Sequence, residues 1–131
     1  MIDALACIAL AIYFEARGEP ETGQEAVGHV IMNRVASPHF PATACDVVTE
    51  NRRPGTKLCQ FSFWCDGYPD TPRDRSAYMQ ALLIATAVVD GDIPDPTGGA
   101  THYHADYVAP NWTGLTQVAQ IGRHLFYRKE P

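Results

Sequence analysis

The sequence predicts an α+β fold, a helical body carrying a small antiparallel β element. Apolar residues recur at helical spacing in three segments of the first ninety residues, two β-rich runs close the chain, and Gly/Pro clusters mark the junctions. With 46% hydrophobic and 19% charged residues among 131, the chain is long enough to bury a core, and 1–131 reads as one domain.

The first helix is expected over about residues 2–16, stopping near Gly18 and Pro20. A second starts at Thr22, where Thr22 and Glu25 have capping-box spacing; its stripe is Val27, Val30, Ile31 and Val35, and Ser37-Pro38 ends it. Residues 37–75 hold five prolines and read as irregular, with a helical turn at 46–50. A stretch this long without regular structure is more often functional than idle. A third helix covers about 76–89, with Tyr78, Leu82, Ala85 and Val89 on one face and Gly91 and Pro94 beyond its end. Residues 95–99 form a turn. Runs 100–108 and 117–127 read as strands, split by the loop 110–114.

Within this pattern Glu15 is out of place. Leu5, Ile8 and Ile12 recur along one face of the first helix, and the next position on that stripe is Glu15. A carboxyl facing a core is desolvated, which favours its protonated form, and a neutral carboxyl is what a general acid requires. The competing reading is a structural ion pair with Arg17 or Arg34. Glu19, one turn on and beside Pro20, is the rival carboxylate, suited to the start of the next helix.

Other chemistries find less support. The net charge of −5 and the small basic cluster Arg52, Arg53 and Lys57 argue against nucleic-acid binding. No run reaches membrane-span length. The apolar start lacks a basic n-region and runs into 15–19 without a cleavage site, so export would depend on a leader removed from this chain or on another route. The four cysteines form no CxxC pair, so a zinc knuckle is poorly supported. Cys7 reads as a buried thiol. Cys59 and Cys65 flank a short aromatic segment and can close a disulfide in an oxidising compartment, with Cys45 an alternative partner for either. His102 and His104 lie two apart on a strand and point to one side, with Tyr103 on the other; His124 is a conceivable third metal ligand, but no zinc-enzyme spacing appears. Neither a phosphate loop nor a GxSxG elbow is present. In the run 60–64, Gln60 and Ser62 offer polar handles for a sugar, while Phe61 and Phe63 fit core packing equally well.

Taken together, several segments resemble the spore-cortex-lytic (SleB-type) cell wall hydrolases: Phe14-Glu15-Ala16-Arg17-Gly18-Glu19-Pro20, residues 23–27 and 30–35, Phe40-Pro41, Cys59-Gln60-Phe61-Ser62, Gly99-Ala100-Thr101-His102-Tyr103-His104 and residues 121–127. The resemblance covers nearly the whole chain in order. It implies a lysozyme-like catalytic domain, without cofactor or metal, that cuts peptidoglycan glycan strands between N-acetylmuramic acid and N-acetylglucosamine. Glu15 matches the one catalytic glutamate of such enzymes, which leave a 1,6-anhydromuramic end. Gln60, Ser62, His102 and Tyr103 would line the substrate cleft, with Glu19 as a supporting residue. Asn33 and Arg34 would fix the helix packing or hold a carboxylate. A hydrolytic muramidase, a metal-dependent amidase and a non-catalytic glycan-binding module are the alternatives. Unlike the spore enzymes, these residues include no glycan-binding repeat or leader. The expected protein is therefore a monomer acting on the bacterial wall, without nucleic-acid or membrane partners, such as a phage lysin held in the host cytoplasm or an excised envelope-enzyme domain.

Overall fold

Asp3 opens the first helix, α1 (Ala4–Ala16), by accepting the Ala6 N–H at 2.9 Å. The computed structural model describes residues 3–51, 55–56 and 59–129; the Arg52, Arg53 and Lys57 cluster and the expected helix start at residue 2 lie outside them. α1 is not buried along a single stripe. Cys7, Ile8, Ala9, Ala11, Ile12, Tyr13 and Ala16 are all buried, on every side of the helix, because α1 packs on three other helices at once.

The second helix, α2 (Glu21–Val35), begins one residue before the expected Thr22. Pro20 stands at its N-cap with no side-chain cap, and Thr22 lies inside the first turn, so the capping box does not form. Proline lacks an N–H and has its φ already set, which suits it to this boundary, and Glu21 places a negative charge at the helix's positive end. At Gly28 α2 presses on its neighbours: an added Cβ would lie 3.3 Å from Val88 Cγ2 and 3.5 Å from Ile12 Cδ1.

The middle of the chain holds more structure than its prolines suggest. Thr43 caps a short helix, α3 (Ala44–Val48), and residues Ser62–Cys65 form a 3₁₀ turn. Phe61 and Phe63 are core residues, Phe63 stacking on Phe14 at 4.9 Å. The buried Tyr13 hydroxyl receives the N–H groups of Arg73 and Asp74, and Asp74 then caps α4 (Arg75–Val89) through the Ala77 N–H at 3.0 Å.

Three strands follow, not two: β1 (His102–Ala105), β2 (Leu115–Ile121) and β3 (His124–Lys129), antiparallel in the order β1-β3-β2. The run expected as one strand over 117–127 folds back at Gly122, whose φ of 56° glycine adopts at little cost. The inner sheet face meets α2 through a second apolar cluster of Ala26, Val30, Ala100 and Phe126. Asp95 secures the approach to β1, accepting from Thr97 N, Thr97 Oγ1, Gly99 N and Asn33 Nδ2; burial opposes its charge, but these bonds outweigh it and hold the carboxyl below its usual range. Asn33 also donates to the Ala100 carbonyl, and Arg34 Nε to that of Thr101, so both fix α2 to the sheet as expected. Among the described residues no helix is long and apolar enough to cross a membrane.

Cys7 is not a free thiol. It is bonded to Cys45, which sits on α3 beside α1, and Cys59 pairs with Cys65. The Cys7–Cys45 bond spans 38 residues of sequence and restricts the unfolded chain accordingly. By the chain-entropy relation, a Cys7→Ala/Cys45→Ala double variant is expected to lose up to about 4 kcal/mol of stability, measured by chemical denaturation under oxidising conditions. Four free thiols per oxidised native chain, titrated under denaturing conditions, would contradict both pairings, and two would contradict one of them.

Candidate active site

Glu15 ends the apolar run of α1, where the helical body meets the first strand. Its Oε1 accepts a hydrogen bond from the Tyr103 hydroxyl at 2.9 Å. Burial raises the Glu15 carboxyl above its ordinary value, and the Tyr103 bond only partly offsets this by favouring the charged form. Burial and the neighbouring Glu15 push the phenol of Tyr103 well up, so it remains a donor at any physiological pH. The ion pairs considered for Glu15 take other forms: Arg17 donates to the Tyr13 hydroxyl and lies over that ring, and Arg34 binds the Thr101 carbonyl beneath Phe40.

The pair opens into a cleft of about 360 Å³. Glu15 and Phe14 of α1, Arg34 of α2, Gln60 before the 3₁₀ turn and Ser62 at its start, Tyr103 and His104 of β1, and His124 of β3 border it. The aromatic run splits where the chain enters the 3₁₀ turn: Phe61 and Phe63 are buried while Gln60 and Ser62 stay exposed at the cleft. Among the described lining residues Glu15 is the only carboxylate.

Glu19 serves the frame. Its Oε1 accepts the Arg123 N–H at 2.8 Å, its backbone carbonyl receives Gln24 Nε2 at 3.1 Å, and a Cβ on Gly122 would fall 2.7 Å from that same Oε1. The carboxylate thus binds the β2–β3 turn to the α1–α2 junction. His124 stands behind this link, its Nδ1 3.6 Å from Glu19 Oε1 and its ring 5.0 Å from that of Tyr103. Burial lowers its pKa against the pull of Glu19, so it is neutral at pH 7. The sequence offered His124 only as a metal ligand; its place between Glu19 and Tyr103 depends on β3 pairing with β1, which no local pattern encodes.

In β1 Tyr103 faces the acid, while the rings of His102 and His104 pack 5.3 and 5.5 Å from that of Trp112; His104 also borders the cleft, and His102 does not. His102 therefore does not join Glu15, Gln60, Ser62 and Tyr103, and borders a larger cavity instead. With His124 packed against Tyr103 on the inner face, the three histidines do not converge; no three His, Cys, Asp or Glu side chains among the described residues are grouped to hold a metal.

Residues 18–127 match the family described as cell wall hydrolase. The chain belongs to that family. It is 38% identical over 121 residues to the spore cortex-lytic enzyme of Halalkalibacterium halodurans and 35% identical over 123 residues to that of Bacillus subtilis, in each case covering 91% of this chain. It spans 33% and 35% of those two proteins' lengths. Among solved structures, the catalytic domain of the Bacillus cereus SleB protein superposes with a TM-score of 0.74 at 35% identity, covering 95% of this chain and 89% of that one. The catalytic domain of the germination-specific lytic transglycosylase SleB from Bacillus anthracis gives 0.75 at 35% identity, covering 95% and 93%. The expected lysozyme-like α+β fold is thus the fold of this chain, which corresponds over nearly its whole length to the catalytic domains of these two enzymes.

The protonation of Glu15 has a thermodynamic signature. A folded-state pKa raised above the ordinary 4.5 means the folded chain binds this proton more tightly than the unfolded one. The stability from this group is complete below that ordinary value and is lost as pH rises through the folded one. Glu15→Gln keeps the acceptor for Tyr103 but cannot ionise. It is expected to melt close to the native chain near pH 4 and at a higher temperature than the native chain at pH 7, by calorimetry.

Proposed function

We propose that residues 1–131 form one catalytic unit that cleaves peptidoglycan glycan strands between N-acetylmuramic acid and N-acetylglucosamine, without water as nucleophile, using Glu15 as the one acid and base. The observation that carries this reading is the cleft's single, desolvated carboxyl, held by one neutral donor. Hydrolytic glycosidases in general need a second carboxylate across the scissile bond, roughly 5–10 Å away, to act as nucleophile or to activate water. Glu19, the nearest rival in sequence, is committed to the Arg123 backbone.

The reaction then runs on one proton site. Neutral Glu15 protonates the glycosidic oxygen as the bond from that oxygen to the muramyl anomeric carbon breaks. The muramyl C6 hydroxyl attacks the same carbon, and Glu15, now a carboxylate, takes the hydroxyl proton. The products are a 1,6-anhydromuramyl end and a free N-acetylglucosamine hydroxyl, and the acid is regenerated. Tyr103 orients the carboxyl and supports its brief negative charge, while Gln60 and Ser62 hold acetamido and hydroxyl groups of the glycan. The family membership and the two SleB catalytic domains support peptidoglycan as the substrate. We read the unit as a monomer acting at the wall.

Mass spectrometry of fragments released from defined peptidoglycan tests the chemistry: anhydro ends, lighter by one water than reducing ends, are expected. Reducing muramic ends would make the protein a hydrolytic muramidase. Glu15→Gln is expected to lower wall lysis by at least about 100-fold, the scale of a lost general acid. Tyr103→Phe supplies the pH test. Its hydrogen bond favours the carboxylate, so its loss raises the Glu15 pKa, and the alkaline limb of kcat/KM is expected to move to higher pH.

A further inference from the structure

A cavity larger than the cleft lies outside it. It encloses about 960 Å³ on the outer side of β1, between the loop after α2 and the segment joining β1 to β2. Phe40, His102 and Trp112 give it aromatic walls, and Arg128, Lys129 and His39 stand at its margin. We infer that it binds the carboxylate-bearing peptide branches of peptidoglycan, an inference that rests on the reading of the cleft given above.

Charge is the first argument. The whole chain carries a net charge of −5, yet no carboxylate borders this cavity among the described residues, while two cations do. A cavity lined in this way favours an anion. The glycan backbone of the wall is built on neutral sugars; its free carboxylates lie on the peptides attached to the muramyl lactyl group. Arg128 is anchored at the rim by its Nη1, which donates to the Gly98 carbonyl at 3.0 Å.

The second argument is construction. Trp112 is 40% exposed, yet its ring is set by three others, with His102, His104 and Tyr127 at 5.3, 5.5 and 5.4 Å in edge-on contact. An exposed aromatic fixed in advance offers contact area at little entropic cost on binding. Asn111 and Thr113 flank it with an amide and a hydroxyl able to meet a peptide backbone.

Position is the third. The partition between cavity and cleft is one strand and one side chain thick. Tyr103 enters the cleft while its neighbour His102 enters the cavity, and the Arg34 guanidinium that borders the cleft lies 4.8 Å over the Phe40 ring that borders the cavity. β1 is an edge strand, so a branch can pass around it without crossing the sheet. A tetrapeptide extends about 13 Å, more than twice the roughly 4.8 Å between neighbouring strands of a sheet.

Two measurements decide it. The first is a titration of the native protein with the soluble tetrapeptide L-Ala-γ-D-Glu-diaminopimelate-D-Ala, followed by NMR. Shifts at the Trp112 indole and at β3 amides, weakened by salt and absent in an Arg128→Gln/Lys129→Gln double variant, are expected. No shifts up to millimolar peptide, or shifts confined to the Glu15 cleft, would overturn the proposal. The second is the ratio of kcat/KM on peptide-bearing glycan to that on glycan stripped by an amidase. It is expected to exceed one in the native chain and to fall three- to tenfold in the double variant; an unchanged ratio counts against the site. If the native chain cuts neither glycan, the catalytic reading has failed, and the titration alone decides the peptide site.

Discussion

The hydrogen bond from Tyr103 to Glu15 joins residues 88 positions apart and is where the helical body and the sheet become one site. Glu15 belongs to a helix whose last turns are buried, and Tyr103 to a strand at the edge of the sheet. The acid can be desolvated without being stranded only if the strand arrives at the right height and angle. Much of the remaining structure sets that approach. The cluster of Ala26, Val30, Ala100 and Phe126 seats the sheet on α2, Asn33 and Arg34 hold the backbone entering β1, and Asp95 organises the turn before it.

Burying a carboxyl costs stability, and the surroundings of α1 are built to bear that cost. The helix is enclosed by its neighbours, Cys7 ties its first turns to α3, and Tyr13 collects the chain as it returns to α4. Such packing leaves Glu15 little freedom to turn toward bulk water. The raised pKa follows from this enclosure, since Tyr103 by itself would lower it. Rigidity of the frame and reactivity of the acid therefore have one source.

Features encoded in local pattern were legible in the sequence, and those made by long-range closure were not. Helical periodicity located α1, α2 and α4, and Glu15 stood out because it interrupts an apolar stripe. Strand alternation placed Tyr103 opposite His102 and His104. The Cys7–Cys45 bond went unread because it joins elements 38 residues apart, and burial alone accounts for a cysteine on an apolar helix. The split of the last strand hung on one glycine within a β-rich run, where the need for a positive φ arises only once the hairpin closes on Glu19. The separation of His102 from the cleft was legible in principle, since alternation puts it on the face away from Tyr103; membership of a shared motif had grouped it with the acid. The outer cavity draws its walls from the loop after α2, from β1, from the segment after it and from the end of β3, so no window of sequence contains it.

Glu15 and Glu19 show how the same side chain, one helical turn apart, comes to opposite uses. Glu15 is largely buried and accepts one hydroxyl, so burial favours its protonated form where it borders the cleft. Glu19 stands where the helix has ended, and the Arg123 N–H of the adjacent turn gives its carboxylate a structural partner. Replacing the Gly122 hydrogen by any side chain would force that carboxylate aside, loosening the turn that positions His124 against Tyr103. The acid's geometry is thus maintained partly from outside the cleft, through a chain of contacts from Glu19 to the hairpin and from the hairpin to Tyr103.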